Sequence, residues 1–265
     1  MMSDILCEPR GGLGVITLNR PRRLNAFQTG MARQLDEALS RLAASAETRV
    51  ILIRAEGSYF SAGGDVDFFK ETVAAGPEAA QQAFAELVDA VHAVIQRLAE
   101  LPVPVVAAVQ GGAAGFGLSL LAACDLVVAE RNSRFNPAYV GLGASPDGGI
   151  SWMLPRLLGL RAARRLLMLG ETPDAVAALD LGLIDVIAEP GELAANAEAL
   201  AARLAAGPTL AYGRIKGLLA DSARHTLPEQ LDAEKRNFLA SAASDDFQEG
   251  LQAFLTRRRP EFTGR

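Results

Sequence analysis

Two stretches of this chain carry residues whose types and spacing could do chemistry. The first, residues 101–125, reads LPVPVVAAVQGGAAGFGLSLLAACD. Its Val-rich run at 103–109 predicts a fully buried strand. Gly111, Gly112, Gly115 and Gly117 then let the backbone pass close to another segment, and an apolar run of good helix formers restarts at Leu118. A helix that begins there aims free N–H groups at one point and stabilises negative charge. The same residues also suit an ordinary tight strand-to-helix turn, and this stretch alone does not decide between the two. The glycines do not fit G-x-G-x-x-G and no Lys-Ser or Lys-Thr follows, so it is not a nucleotide-phosphate loop. The second stretch, 144–149, reads ASPDGG. Asp147 is either a turn aspartate capping the helix that follows or a carboxylate available for proton transfer.

The elements that must position these residues follow from hydrophobic spacing. Residues 14–19 and 50–54 read as strands. Residues 28–44 carry Met31, Leu35, Leu39 and Leu42 at helical spacing. Residues 67–76 predict a short helix and a loop closed by Gly76-Pro77, and 78–100 a long helix with Leu87, Val91, Val94 and Leu98 on one side. Another strand is predicted at 126–129. Strands alternating with helices call for parallel pairing, hence an α/β fold. After Phe135 the texture changes: 141–149 holds four glycines and Pro146, then short helices at 152–158, 162–169 and 173–179 precede a late strand at 184–188. From Glu192 onward the chain reads as helical, with Pro208 and Pro228 at helix starts. Leu231, Phe238, Phe247, Leu251, Phe254 and Leu255 form a stripe that a two- or three-helix tail cannot bury alone. We divide the chain into a core, 1–204, and a C-terminal helical region, 205–265.

Composition excludes several function classes. The chain has 265 residues, half of them hydrophobic, which suffices for a large core. The net charge of −5 is made of scattered charges, so no basic stripe points to nucleic acid. Two histidines without H-E-x-x-H argue against a catalytic zinc site, and we expect no metal. Cys7 and Cys124 form no C-x-x-C, and Cys124 reads as a buried thiol. The first ten residues are too polar for a signal peptide, and no run of 18 apolar residues exists; a cytoplasmic protein without a membrane span is expected.

Several separated motifs stand in one order: ITLNRP at 16–21, LNA at 24–26, FSAGGD at 60–65, PVVAAVQGGAAGFG at 104–117, CD at 124–125, PDGG at 146–149 and RPEFTG at 259–264. Together they resemble the crotonase (enoyl-CoA hydratase/isomerase) superfamily from about Gly14 to the end. GLGASPDGG, with WMLPRLLGLRAA after it, is most similar to its 1,2-epoxyphenylacetyl-CoA isomerase-like members. The resemblance implies a spiral of repeated ββα units with a C-terminal helical trimerisation tail, assembled as a trimer or hexamer. It also implies an acyl-CoA thioester substrate processed through an enolate, with coenzyme A as part of the substrate and no separate cofactor.

The same resemblance assigns residues. The N–H groups of Gly64 and Phe116 would form the oxyanion hole; because main-chain atoms donate, Phe116 can stand where relatives have smaller residues. Ala62, Asp65 and Val66 would meet coenzyme A, with Arg22 near its phosphates. The two glutamates of family hydratases correspond to Ser119 and Tyr139, neither a carboxylate, so hydration is not expected; with His92 these are placed in the acyl pocket. Asp147 would carry the proton transfer of an isomerase that shifts double bonds or rearranges a ring epoxide of a phenylacetyl-type thioester. Two alternatives stand beside this. In 4-chlorobenzoyl-CoA dehalogenases an aspartate at the position of Asp147 is a nucleophile and a histidine at that of His92 activates water. A crotonase homologue that only binds acyl-CoA would also lack both glutamates.

Overall fold

The computed structural model describes residues 3–265. The chain opens with an antiparallel pair, β1 (Ile5–Arg10) and β2 (Leu13–Leu18), turned at Gly11-Gly12. The 3-10 turn Pro21–Arg23 leads to α1 (Thr29–Ala43), β3 (Val50–Ala55), α2 (Val66–Ala74) and α3 (Pro77–Glu100). Next come β4 (Val105–Val109), β5 (Gly112–Ala114), α4 (Phe116–Ala122), β6 (Leu126–Glu130) and β7 (Arg134–Asn136). A glycine-rich segment precedes α5 (Ile150–Leu158), α6 (Leu160–Leu169), α7 (Ala175–Leu181) and β8 (Val186–Ala188). Helices α8 (Leu193–Ala205), α9 (Thr209–Ser222), α10 (Leu227–Ala242) and α11 (Asp245–Thr256) end the chain.

Six strands form one sheet in the order β1-β2-β3-β4-β6-β8, parallel except for the first pair. A second, small parallel sheet pairs β5 with β7. Each circuit of the chain therefore adds a strand to the large sheet and then a few residues to the small one. Single bridges extend that second layer, Ser61 to Ala113 and Phe27 to Gly64. This is the ββα spiral, and it stacks successive loop turns at one edge.

Both faces of the large sheet are covered, as expected of parallel strands. On β3, Ile51 and Ile53 face the main core with Met31, Leu35 and Leu39 of α1 and Val94 and Leu98 of α3. Val50 and Leu52 face the other way, against Ala197 and Ala201 of α8. Phe27, Phe60 and Phe135 are fully buried beneath the loop edge. Each contributes roughly 1.5–3 kcal/mol by that burial, which keeps the loops above them in place. Burial also pushes the Cys124 thiol far above its usual range.

The C-terminal helices are tied to the body by cations. Lys216 on α9 donates to the Asp125 carboxylate at 2.7 Å and to the Val103 carbonyl at 3.0 Å. Arg49, just before β3, donates to Gly207 O at 2.6 Å, Phe262 O at 2.9 Å and Thr209 Oγ1 at 3.1 Å. Buried Asp246 accepts from the N–H groups of Thr263 and Gly264, folding the last residues back over α11. The outer apolar stripe stays open in the single chain, with Phe238 62% and Phe254 80% exposed.

Three elements differ from the sequence expectation. β1 was not expected, because its outer half is polar and half-exposed. The GAA segment expected as part of a turn is β5, recruited by pairing with β7. β7 was not expected either, since its three residues form a strand only by pairing with β5.

Candidate active site

The loop edge brings the turn at Gly63-Gly64 against the turn at Gly115. Gly63 has φ +89°, and a Cβ there would lie 2.7 Å from the Ala114 carbonyl. Gly115 adopts φ 48°, ψ −122°, a conformation that excludes a side chain. The Ala114 N–H donates to Ser61 O at 2.8 Å, locking the two turns together. The carbonyl of Gly63 accepts from Phe27 N and the N–H of Asp65 donates to Phe27 O. Gly64 lies between them, and among the described residues nothing accepts from its N–H. The same holds for the N–H of Phe116, the first residue of α4. Both residues line one cavity of about 650 Å³. The first N–H groups of a helix are ordinarily left free, and here one of them and the Gly64 N–H belong to residues that line the same cavity, available to an oxygen of a bound molecule. The Phe116 side chain is turned inward, edge-on to Phe27 with ring centroids 4.8 Å apart.

The surrounding polar groups hold this arrangement. Asn25 donates to Glu56 O and Tyr59 O and accepts from the Arg20 N–H. Arg20 pairs with Asp65 at 2.9 Å. The other oxygen of Asp65 caps α2, accepting from Asp67 N and Phe68 N. The Asp65 side chain is therefore committed to structure, as are its N–H, which donates to Phe27 O, and its carbonyl, which accepts from Phe69 N. Ala62 and Val66 line the cavity. Arg22 lies exposed on the 3-10 turn, outside the lining.

Asp147 is the only carboxylate on the cavity wall among the described residues. It does not cap α5: the N-cap is Gly149, with no side-chain hydrogen bond. Its Oδ1 instead accepts from the Tyr139 hydroxyl at 2.9 Å, and that hydroxyl lies 3.2 Å from Ser119 Oγ. Burial, then the charge of Asp147, push the Tyr139 phenol well above its usual range, so it stays protonated. Tyr139 lines the cavity, but Ser119 is fully buried one layer behind it; its assignment to the pocket wall is corrected accordingly. His92 also stands outside the lining. Its Nε2 meets the main-chain oxygen of Asp147 at 2.5 Å, bracing the 144–149 segment against α3.

Much of the remaining wall is apolar, with Phe69, Leu87, Val91, Val140, Leu142 and Leu169; Asn136 and Ser145 add polar groups. Phe69 lies in the segment after FSAGGD, where an acyl-facing side chain could be anticipated. Leu142 and Leu169 carried no sequence signal, because they arrive from a 3-10 turn and from the end of α6. Asn136, also on the wall, was likewise missed.

Residues 8–265 match the profile of the Enoyl-CoA hydratase/isomerase family. The chain is 37% identical to the 1,2-epoxyphenylacetyl-CoA isomerase of Escherichia coli K12, over all of both chains. It is 32% identical to 4-chlorobenzoyl coenzyme A dehalogenase-2 of an Arthrobacter species, covering 96% of this chain and 91% of that one. The solved structure of an enoyl-CoA hydratase from Polaromonas sp. JS666 superposes with a TM-score of 0.91 at 35% identity, covering 98% and 99% of the two chains. These relatives carry three different reaction names on one fold. The paired turns, the two free N–H groups and the full-length match agree: the chain belongs to the enoyl-CoA hydratase/isomerase family.

Proposed function

We propose that this enzyme is an acyl-CoA isomerase that works through an enolate. The observation that carries this reading is the lone carboxylate of Asp147 in a cavity with two unpaired main-chain donors. An allylic shift needs one base. Asp147 takes a proton from C2 or C4, the N–H groups of Gly64 and Phe116 hold the thioester oxygen as it gains charge, and the same carboxyl returns the proton at the other end. Hydration needs two groups flanking a water, and Ser119 and Tyr139 occupy those positions without supplying a second carboxylate. The acyl group is an enoyl chain or a phenylacetyl-type group carrying a ring epoxide; the apolar wall suits both. The main chain at Ala62 and Val66 would receive coenzyme A, with Arg22 free to meet its phosphates from the rim.

The test is kinetic. The enzyme should convert a 3-enoyl-CoA to the 2-enoyl isomer, while crotonyl-CoA hydration stays far below roughly 10 s⁻¹, a typical enzyme turnover. Asp147→Asn should lower isomerisation by ~10²–10⁴ and leave CoA-ester binding nearly unchanged. Wild-type isomerisation by Asp147→Asn would refute the assignment.

A second reading, dehalogenation, is favoured by the contact of His92 with the Asp147 peptide. It requires chloride release from 4-chlorobenzoyl-CoA and accumulation of an aryl-enzyme ester in His92→Gln. Against it, the His92 Nε2 already meets the Asp147 carbonyl, and His92 is not among the residues that line the cavity.

A further inference from the structure

Ser119, Tyr139 and Asp147 form one hydrogen-bonded chain that crosses from α4 to the cavity wall. Its direction follows from donor and acceptor capacity. An ionised carboxylate only accepts, so the Tyr139 O–H donates to Asp147 Oδ1. The Tyr139 oxygen is then left to accept from the Ser119 O–H. Ser119 is fully buried, and the Gly148 backbone packs so close that a Cβ there would lie 2.8 Å from its Oγ. The chain thus begins in a rigid helix and ends on one oxygen of a carboxylate whose own segment, 141–149, is rich in glycine. The second oxygen, Oδ2, accepts from no described group and is not a buried orphan, and it belongs to a half-buried residue that lines the cavity.

We infer that Tyr139 is a positioning residue, held by Ser119, which fixes Oδ1 of Asp147 and leaves Oδ2 to exchange the substrate proton. This rests on the isomerase reading above and deepens it. His92 braces the main chain of this segment, but the aspartate side chain still turns about its own χ1 and χ2 unless something holds it. One hydrogen bond from a rigid wall selects among its rotamers, which is the orientation part of catalysis. The side chains standing where hydratases keep carboxylates then serve the single remaining carboxylate.

The experiment is a double-mutant cycle between Tyr139→Phe and Asp147→Asn, with 3-hexenoyl-CoA as probe and both kcat and KM measured. Tyr139→Phe keeps the ring and its packing and removes only the hydroxyl. We expect kcat to fall roughly 10- to 100-fold, the value of a hydrogen bond to a charged group, with KM within about twofold. In the Asp147→Asn background the same substitution should change kcat by less than about twofold, because Tyr139 acts only through that carboxylate. Ser119→Ala should give a smaller loss that does not add to that of Tyr139→Phe. Equal losses from Tyr139→Phe in both backgrounds would overturn the inference while leaving Asp147 as base. Equal activity of wild type and Asp147→Asn would overturn Asp147 as the base and this inference with it, and a wild type that does not isomerise the probe would overturn the isomerase reading. A Tyr139→Phe enzyme with wild-type kcat would overturn the inference alone.

Discussion

Gly117→Ala should damage catalysis through packing alone, without removing a polar group. A Cβ at Gly117 would lie 2.7 Å from both Ser61 Cβ and Ser61 O, and 2.9 Å from Ser61 Oγ. Resting carbon–carbon contacts are about 3.5–4.0 Å, so α4 and the 61–64 turn must separate by roughly 1 Å. Ser61 cannot withdraw: it is fully buried, its hydroxyl donates to Asn25 O at 2.9 Å, and its oxygen accepts from Gly63 N at 3.2 Å. The Phe116 N–H, one residue before Gly117, moves with the helix, and the two donors no longer converge. Overpacking costs about 1–3 kcal/mol, offset by the roughly 0.5–1 kcal/mol that Ala gains over Gly in a helix. A displacement of this size in catalytic geometry lowers kcat by about 10². The assay pairs denaturant unfolding with isomerase kinetics and CoA-ester binding. Gly217→Ala on α9 is the control, since a Cβ there meets nothing within 4 Å; it should gain about 0.5–1 kcal/mol and keep its kcat. A Gly117→Ala enzyme with wild-type stability and wild-type kcat would refute the claim that contact between the two turns sets the oxyanion site.

Two further outcomes are expected. The exposed stripe of Leu231, Phe238, Leu251, Phe254 and Leu255 requires cover, so light scattering at micromolar concentration should give a trimer or hexamer; a monomer refutes it. Partial desolvation raises the carboxyl of Asp185, an otherwise exposed residue, above its ordinary 3.8, so the native state holds that proton more tightly than the unfolded chain. Stability from this group is therefore present below about pH 3.8 and declines as pH rises through the raised native value. Asp185→Asn, which can still accept from Val127 N, should raise the denaturation midpoint at pH 7 and lose that advantage at pH 3; equal differences at both pH values would be inconsistent with the sign.

How much of this was legible in the sequence varies with the length scale of the cause. Strands β3, β4 and β6 and helices α1 and α3 were legible because one face of each is set by its own apolar spacing. The turns at Gly63-Gly64 and Gly115 were legible as small-residue punctuation, but their meeting depends on parallel strands that bring residues fifty apart into register. The role of Asp147 could not be read locally. P-D-G reads equally as a cap, and only the position of Gly149 as N-cap and the approach of Tyr139 remove that reading. The hydroxyl chain from Ser119 was invisible because its bonds join residues 8 and 20 apart that no shared periodicity links. His92 fits a helix stripe, and its contact is with a main-chain oxygen, which no side-chain pattern records. Leu142 and Leu169 enter the cavity by accident of loop geometry rather than by period.

The clasp on Arg49 sets a timetable for the newborn protein. Its three acceptors lie 158, 160 and 213 residues further along the chain. The face of β3 that carries Val50 and Leu52 waits almost as long for α8. At roughly 5–20 residues per second of synthesis, the central strand stands beside a guanidinium without its final acceptors and a bare apolar face for on the order of 10–40 s. Pairings this distant also slow folding after release. Ribosome-bound intermediates of this chain are thus exposed to aggregation before any active site exists. Damage to the far end of the sequence should accordingly appear first as lost soluble yield in cells, with the surviving molecules keeping their turnover.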